Sequence, residues 1–246
     1  MNLKKFANRL KLVLLILAAL FSVHFILYNP FFGVTRIDVT GNARVSSDDI
    51  AARSGIIVGM NIFRIDTEAS SQAMEAHPII RQAVILRHWD RTVTLKVTER
   101  QIWAVIPWGD TFLCIDEEGI CFENTNDLPP GDYPIITIEK LSEPISLGQC
   151  PNSSATSLIK QIWSTLTPEQ RKNISEFHWA QQSSSLNIYT VRGTEIRFGD
   201  MERLEEKLKS FDQIMEIEAD MEAGGKEVLE YVDIRFKGEP IIKTII

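Results

Sequence analysis

Cysteine is scarce in this chain, three in 246 residues. Three cannot form a disulfide framework, so the core has to come from apolar burial. Histidine is scarce too. His24, His77, His88 and His178 are not at helical ligand spacing from one another, which argues against a zinc site. No phosphate-cradling glycine loop, zinc-protease helix pattern or nucleophile elbow occurs, and a nucleophile at Cys114 or Cys121 has no evident base. Basic excess is missing as well. Lys and Arg number 26 against 33 Asp and Glu, a net −7. Four of those bases, Lys4, Lys5, Arg9 and Lys11, precede an apolar run, and no acid occurs before Asp38. With them set aside, 22 bases face 33 acids, a net −11. So acidic a body is a poor partner for nucleic acid, whose affinity rests on neutralising phosphates. Hydrophobic residues at 44% and charged residues at 24% exclude wholesale disorder and a polytopic membrane protein. The length predicts one or two domains.

One long apolar run is present, from Leu12 to Tyr28. Its roughly 17 residues make a helix of about 26 Å, the short end for a bilayer span. A secretory signal also pairs a basic start with an apolar middle. A signal ends in a small-x-small cleavage site, whereas here Phe25, Ile26, Leu27 and Tyr28 end the run and no Ala-x-Ala appears. The reading is an uncleaved anchor: 1–11 a cytoplasmic tail, 12–28 a transmembrane helix, and the remainder outside, since bases stay on the cytoplasmic side. Phe25, Tyr28, Phe31 and Phe32 suit the outer interface.

Beyond the span, 34–41 alternates as a strand and stops at Gly41-Asn42. Ser46-Ser47-Asp48-Asp49 opens a short helix that Gly55 ends. Asp66 or Thr67 caps a second helix, which stops before Pro78. Strands follow at 81–88 and 92–101, giving β-α-α-β-β. A strand at 102–107 precedes a hairpin, 111–115 with 120–123, around Asp116-Glu117-Glu118-Gly119. Leu158, Ile159, Ile162, Trp163 and Leu166 recur at helical spacing. A second hairpin, 185–192 with 195–198, turns at Gly193. Leu204, Leu208, Phe211 and Met215 form the apolar stripe of a helix from about Asp200 to Met221, ended by Gly224-Gly225. Extended segments at 228–236 and 240–246 finish the chain.

Several fragments are recognisable in order: Phe32-Gly33-Val34, Ile37-Asp38-Val39-Thr40-Gly41-Asn42, Gly59-Met60-Asn61-Ile62, Pro78-Ile79-Ile80, Ala83-Val84 and Val97-Thr98-Glu99-Arg100. Later come Asp116-Glu117-Glu118-Gly119, Arg197-Phe198-Gly199 leading into Lys207-Leu208, and Tyr231-Val232-Asp233-Ile234-Arg235. In this order, over essentially the whole chain, they resemble the bacterial cell-division family FtsQ/DivIB. His88-Trp89-Asp90 departs from that pattern, standing where members often carry a proline-containing turn. The resemblance implies an α+β fold: a single N-terminal transmembrane helix, a POTRA domain at 32–101, and at 102–246 a mixed, mostly antiparallel β domain with flanking helices. It further implies a non-catalytic scaffold of the divisome, single-pass in the cytoplasmic membrane at the septum. Its partners would be the FtsB/DivIC and FtsL single-span proteins and the septal cell-wall synthase. No cofactor, metal, nucleic acid or small-molecule substrate is implied. The alternatives are a POTRA-type chaperone or translocation module of the envelope, and an anchored periplasmic hydrolase. The first usually precedes an outer-membrane barrel, which 145 or so residues with two helices do not make.

Two sites can be specified. If Ile115 pairs with Ile120, Cys114 and Cys121 face each other at a spacing a disulfide spans, with two small apolar residues packing on the sheet as the alternative. At the C-terminus, Ile241, Ile242, Ile245 and Ile246 follow Lys237-Gly238-Glu239-Pro240, a poor composition for a free tail. They form either a strand packed on its own sheet or an edge that a partner strand extends. The resemblance implies the second, with Tyr231, Phe236, Lys237, Gly238, Glu239, Pro240, Ile241 and Ile242 lining the partner surface.

Overall fold

The structure, a computed structural model, describes residues 3–139, 145–224 and 228–245. Gly225, Ile246 and the side chains of Lys4, Lys5 and Arg9, invoked above, lie outside the described residues. Two compact units meet in sequence at Arg100 and Gln101, each with its own core.

In the first unit, α1 (Leu3–Tyr28) runs unbroken through the basic tail. Its Leu10–Tyr28 stretch, 19 residues of mean hydropathy 2.5 with none of them buried, is long and apolar enough to cross a membrane, two residues longer than the apolar run read from sequence. The Ser22 hydroxyl donates to the Ala18 carbonyl at 2.8 Å, so its polarity is satisfied within the helix. Pro30 ends the helix by disfavouring α geometry at Asn29, whose side chain caps a 3-10 turn at Pro30–Phe32.

Strand β1 (Arg36–Thr40) ends at Gly41, where φ is +85° and a Cβ would lie 2.1 Å from the Val97 carbonyl oxygen; only glycine fits. The Ser46 side chain accepts from Asp49 N and starts α2 (Ser47–Ser54). Asp66 accepts from Ala69 N and starts α3 (Thr67–Glu75). Then come β2 (Ile80–Arg87) and β3 (Thr92–Glu99). The sheet order is β1-β3-β2, with β3 parallel to β1 and antiparallel to β2. Val93, Leu95 and Val97 alternate inward onto Ile50 and Met74. The β-α-α-β-β order is the one expected.

The second unit opens with a small antiparallel sheet of β4 (Ala104–Trp108), β5 (Thr111–Ile115) and β6 (Cys121–Thr125). There follow β7 (Ile136–Ile138), α4 (Ser153–Thr165), α5 (Pro168–Lys172), β8 (Ile174–Ala180), β9 (Ser185–Thr190) and β10 (Glu195–Gly199). The chain continues with α6 (Leu204–Gly224), β11 (Val228–Asp233) and β12 (Ile241–Ile245). The large sheet has the order β12-β11-β10-β9-β8-β7. Phe177, Ile188, Ile196 and Val232 from its strands share one core with Ile159 and Ile162 of α4 and Phe211 and Ile214 of α6. Trp163 packs edge-on against Phe177.

Three expectations are corrected. The α6 stripe is turned: the buried positions are Lys207, Phe211, Ile214 and Glu218, while Leu204, Leu208 and Met215 are only partly buried. The helix also begins at Leu204 rather than Asp200, because Arg203 has φ +55° and cannot be helical. Finally, β5 and β6 pair Ile115 with Cys121 and Cys114 with Glu123, across a bulge. Cys114 and Cys121 therefore do not face each other. No disulfide joins them, and both are buried. Burial pushes the Cys121 thiol up to about 11, so it holds little of the thiolate that oxidation requires.

Candidate functional site

Both ends of the large sheet offer an edge, but they differ. Alongside β7, the small sheet makes a parallel bridge from Val105 to Ile135, and Val105 N donates to Pro134 O at 3.1 Å. At the opposite end β12 pairs with β11 on one side and with no strand on the other, among the described residues. Its outward row of N–H and C=O groups is a template for a further strand. Its apolar side chains are open too: Ile241, Ile242 and Ile245 are 54%, 43% and 53% exposed.

The eight residues expected at this surface are brought together. Tyr231 lies in β11, Phe236 to Pro240 form the connecting loop, and Ile241 and Ile242 open β12. The register pairs Asp233 with Ile241, Val232 with Ile242 and Tyr231 with Lys243, so Ile241 and Lys243 share the Tyr231 face while Ile242 takes the Val232 face. Phe236 is 64% exposed, with the Arg235 guanidinium 5.3 Å from its ring centre. Lys237, Gly238 and Glu239 are exposed and Pro240 half-buried. Arg203 Nη2 donates to the Arg235 carbonyl at 2.7 Å and anchors the loop to the start of α6.

Sequence reasoning missed the charges that stiffen this edge. The Arg197 guanidinium stacks 3.8 Å from the Tyr231 ring centre while donating twice to Glu195 Oε2 at 3.0 Å. Asn187 Nδ2 and the Tyr189 hydroxyl donate to the same carboxylate's Oε1. Lys243 Nζ pairs with Glu230 Oε2 at 2.6 Å and lies 5.8 Å from the Tyr231 centre. Hydrogen bonds from Arg235 outweigh partial burial and hold the Asp233 carboxyl below its usual value. Glu195 with Arg197, and Asp233 with Arg235, are opposite charges two residues apart. Within β10 that spacing puts Glu195 and Arg197 on one face, which was readable, whereas Arg235 lies past the end of β11 and its amide turns back to Asp233 Oδ1. Tyr231 thus sits in a polar frame, while Ile241 in β12 and Phe236 in the loop are uncovered.

Family models match two stretches: a POTRA domain of FtsQ type at residues 32–100, and the C-terminal part of cell division protein FtsQ/DivIB at 104–235. Relatives include the cell division protein DivIB of Staphylococcus aureus (strain MRSA252), 23% identical over 85% of this chain and 45% of the relative. FtsQ of Myxococcus fulvus is 25% identical over 71% of this chain and 61% of the relative. FtsQ of Corynebacterium glutamicum is 31% identical over 56% and 59%. The solved extracytoplasmic domain of the Geobacillus stearothermophilus division protein DivIB aligns with 52% of this chain and 99% of its own at 16% identity, with a TM-score of 0.32, too slight a likeness to bear on the fold. The chain spans about half the length of the curated relatives it matches first. With the C-terminal model alone covering more than half of its residues, the chain belongs to the FtsQ/DivIB family of bacterial cell-division proteins.

Proposed function

We propose that this chain is a non-catalytic scaffold of the division machinery, anchored in the cytoplasmic membrane by α1 with its two folded units outside. Its β12 edge receives a strand from a single-span partner of the FtsB/DivIC type, itself held with FtsL. The complex would then be tied to septal cell-wall synthesis. The observation that carries the reading is the uncovered edge of β12 with its three exposed isoleucines, in a family of division proteins. Strand addition fits these features, since backbone pairing supplies affinity and alternate side chains supply choice of partner. Anchoring in one membrane plane raises the effective concentration of co-anchored partners, so modest contacts become avid.

Phe236 and Ile241 are mostly exposed, so charging them spares the core. Affinity purification of the full chain from its native membrane should recover small single-span coiled-coil proteins. A Phe236→Asp, Ile241→Asp double variant should lose them while keeping its circular dichroism. Unchanged recovery would move the site elsewhere, and barrel-assembly factors in its place would overturn the division reading.

A further inference from the structure

The end of α1 determines what lies next to the bilayer. Phe31 is three residues beyond Tyr28, so even extended chain keeps it within about 10 Å of the span. The polar layer on each side of a bilayer core is roughly 5–8 Å deep. Whatever packs on Phe31 is therefore at or near headgroup level.

What packs there belongs to the turn between β2 and β3. Arg91 Nη1 donates to the Phe31 carbonyl at 3.0 Å, and its guanidinium lies 5.3 Å from the Phe31 ring centre. Trp89, at the tip of that turn, lines the same hollow of about 230 Å³ as Phe31. Trp89 is 97% exposed, an indole with almost no protein around it. The loop at 57–64 is tied to α1 as well. Asn61 Nδ2 donates to Ile26 O, inside the last turn of α1, at 2.8 Å. The Arg64 guanidinium lies 5.2 Å from the Tyr28 ring centre. Ile57 and Val58, in the same loop, are more than 60% exposed. The acid of the turn, Asp90, is occupied by the amide and hydroxyl of Thr92, both at 3.1 Å.

Exposed aromatic and aliphatic side chains interleaved with arginines, next to the end of an emerging span, match the chemistry of a lipid headgroup layer. We propose that the β2–β3 turn and the 57–64 loop form a lipid-docking face. Trp89, Phe31, Ile57 and Val58 seat in the outer leaflet of the membrane that α1 crosses, and Arg64 and Arg91 meet lipid phosphates. The first unit then rests on the leaflet with a defined orientation. The inference depends on α1 being a span, as proposed above.

The test uses the full chain in nanodiscs of phosphatidylethanolamine and phosphatidylglycerol, with or without bromine on the acyl chains. The emission lost on Trp89→Phe is that of Trp89. It should be blue-shifted, and bromine should quench most of it. A water-like component that bromine leaves untouched overturns the proposal. Arg91 has φ +67°, a conformation glycine favours, so Arg91→Gly keeps the turn and removes the guanidinium. It should shift the docked equilibrium about five-fold toward the undocked state, read as a smaller quenched share; an unchanged share overturns the arginine contact. Alkaline carbonate washing of native membranes separates the two readings. A chain that washes off sinks the anchor and the docking face together. A chain that stays, with Trp89 unquenched, sinks the docking face alone.

Discussion

Glu99 shows how one side chain can close a domain. It is the last residue of β3 and 7% exposed, yet it is a carboxylate. Its oxygens accept from the backbone amides of Ala43, Arg44 and Val45 at 2.9–3.0 Å, fastening the chain between β1 and α2 to the end of the central strand. Burial acts to raise its pKa, but the three amides outweigh burial and hold it below the usual glutamate value of 4.5. A depressed native pKa stabilises the fold fully above the unfolded value, and that contribution fades as pH falls below 4.5 and through the native value. Glu99→Gln keeps the shape and loses the charge. It should cost about 2 kcal/mol at neutral pH and remove this acid sensitivity. Thermal melts of the first unit's signal, compared at neutral and acid pH, test both; equal losses for the two proteins at low pH would refute the assignment. Glu99 was visible in the sequence as part of a recognisable fragment. Its role was not, because its partners are 54 to 56 residues away and are backbone groups, which carry no side-chain signature.

Helix α6 marks where periodicity stops being sufficient. The stripe Leu204, Leu208, Phe211, Met215 has the right spacing, but the buried face is turned roughly 60° from it, at 100° per residue. Two charged residues hold the buried face, and a hydrophobicity pattern reads them as solvent positions. Glu218 Oε1 accepts from the hydroxyls of Thr190 and Thr194 at 2.5 and 2.6 Å. Lys207 Nζ donates to Asp200 O at 2.9 Å and to its carboxylate at 3.2 Å, with its charge 5.1 Å from the Phe198 ring centre. That hydrogen bond holds the Asp200 carboxyl below its usual value. Lys207 acts by stem packing as much as by charge, since it is 1% exposed. Lys207→Ala should cost about 3 kcal/mol and Lys207→Met about 1 kcal/mol, measured by denaturant unfolding of the full chain in detergent. Equal costs would mean that the ammonium alone matters. Strands β7 and β8 escaped the sequence reading for another reason. β7 has three residues, and in β8 the inward alternation is only Phe177 and Trp179.

The whole molecule is simpler than its element list. In the large sheet every strand neighbours the one before it in sequence, so most of the topology was legible once its strands were seen. The parallel joints, β7 with β8 and β10 with β11, fall where helices intervene, because parallel neighbours need a crossover. β12 stands at the end of that order, and among the described residues no strand pairs with its outer side. The isoleucines pointed to it, but the charge frame around Tyr231 needed the register. The division at Arg100 and Gln101 has a consequence at this scale. Ile50 is fully buried in one core and Phe177 in the other, and among the described residues the two cores share none. Ile50→Ala and Phe177→Ala should each cost about 3–4 kcal/mol, and the loss should stay on its own side. Hydrogen exchange on the full chain in detergent should show Ile50→Ala deprotecting peptides within 32–100 and leaving 104–235 unchanged, with Phe177→Ala giving the converse. Deprotection of both stretches by either variant would show one cooperative body. Local loss would mean that a damaged first unit still presents an intact β12 edge, so partner recovery should survive Ile50→Ala and fail with Phe177→Ala.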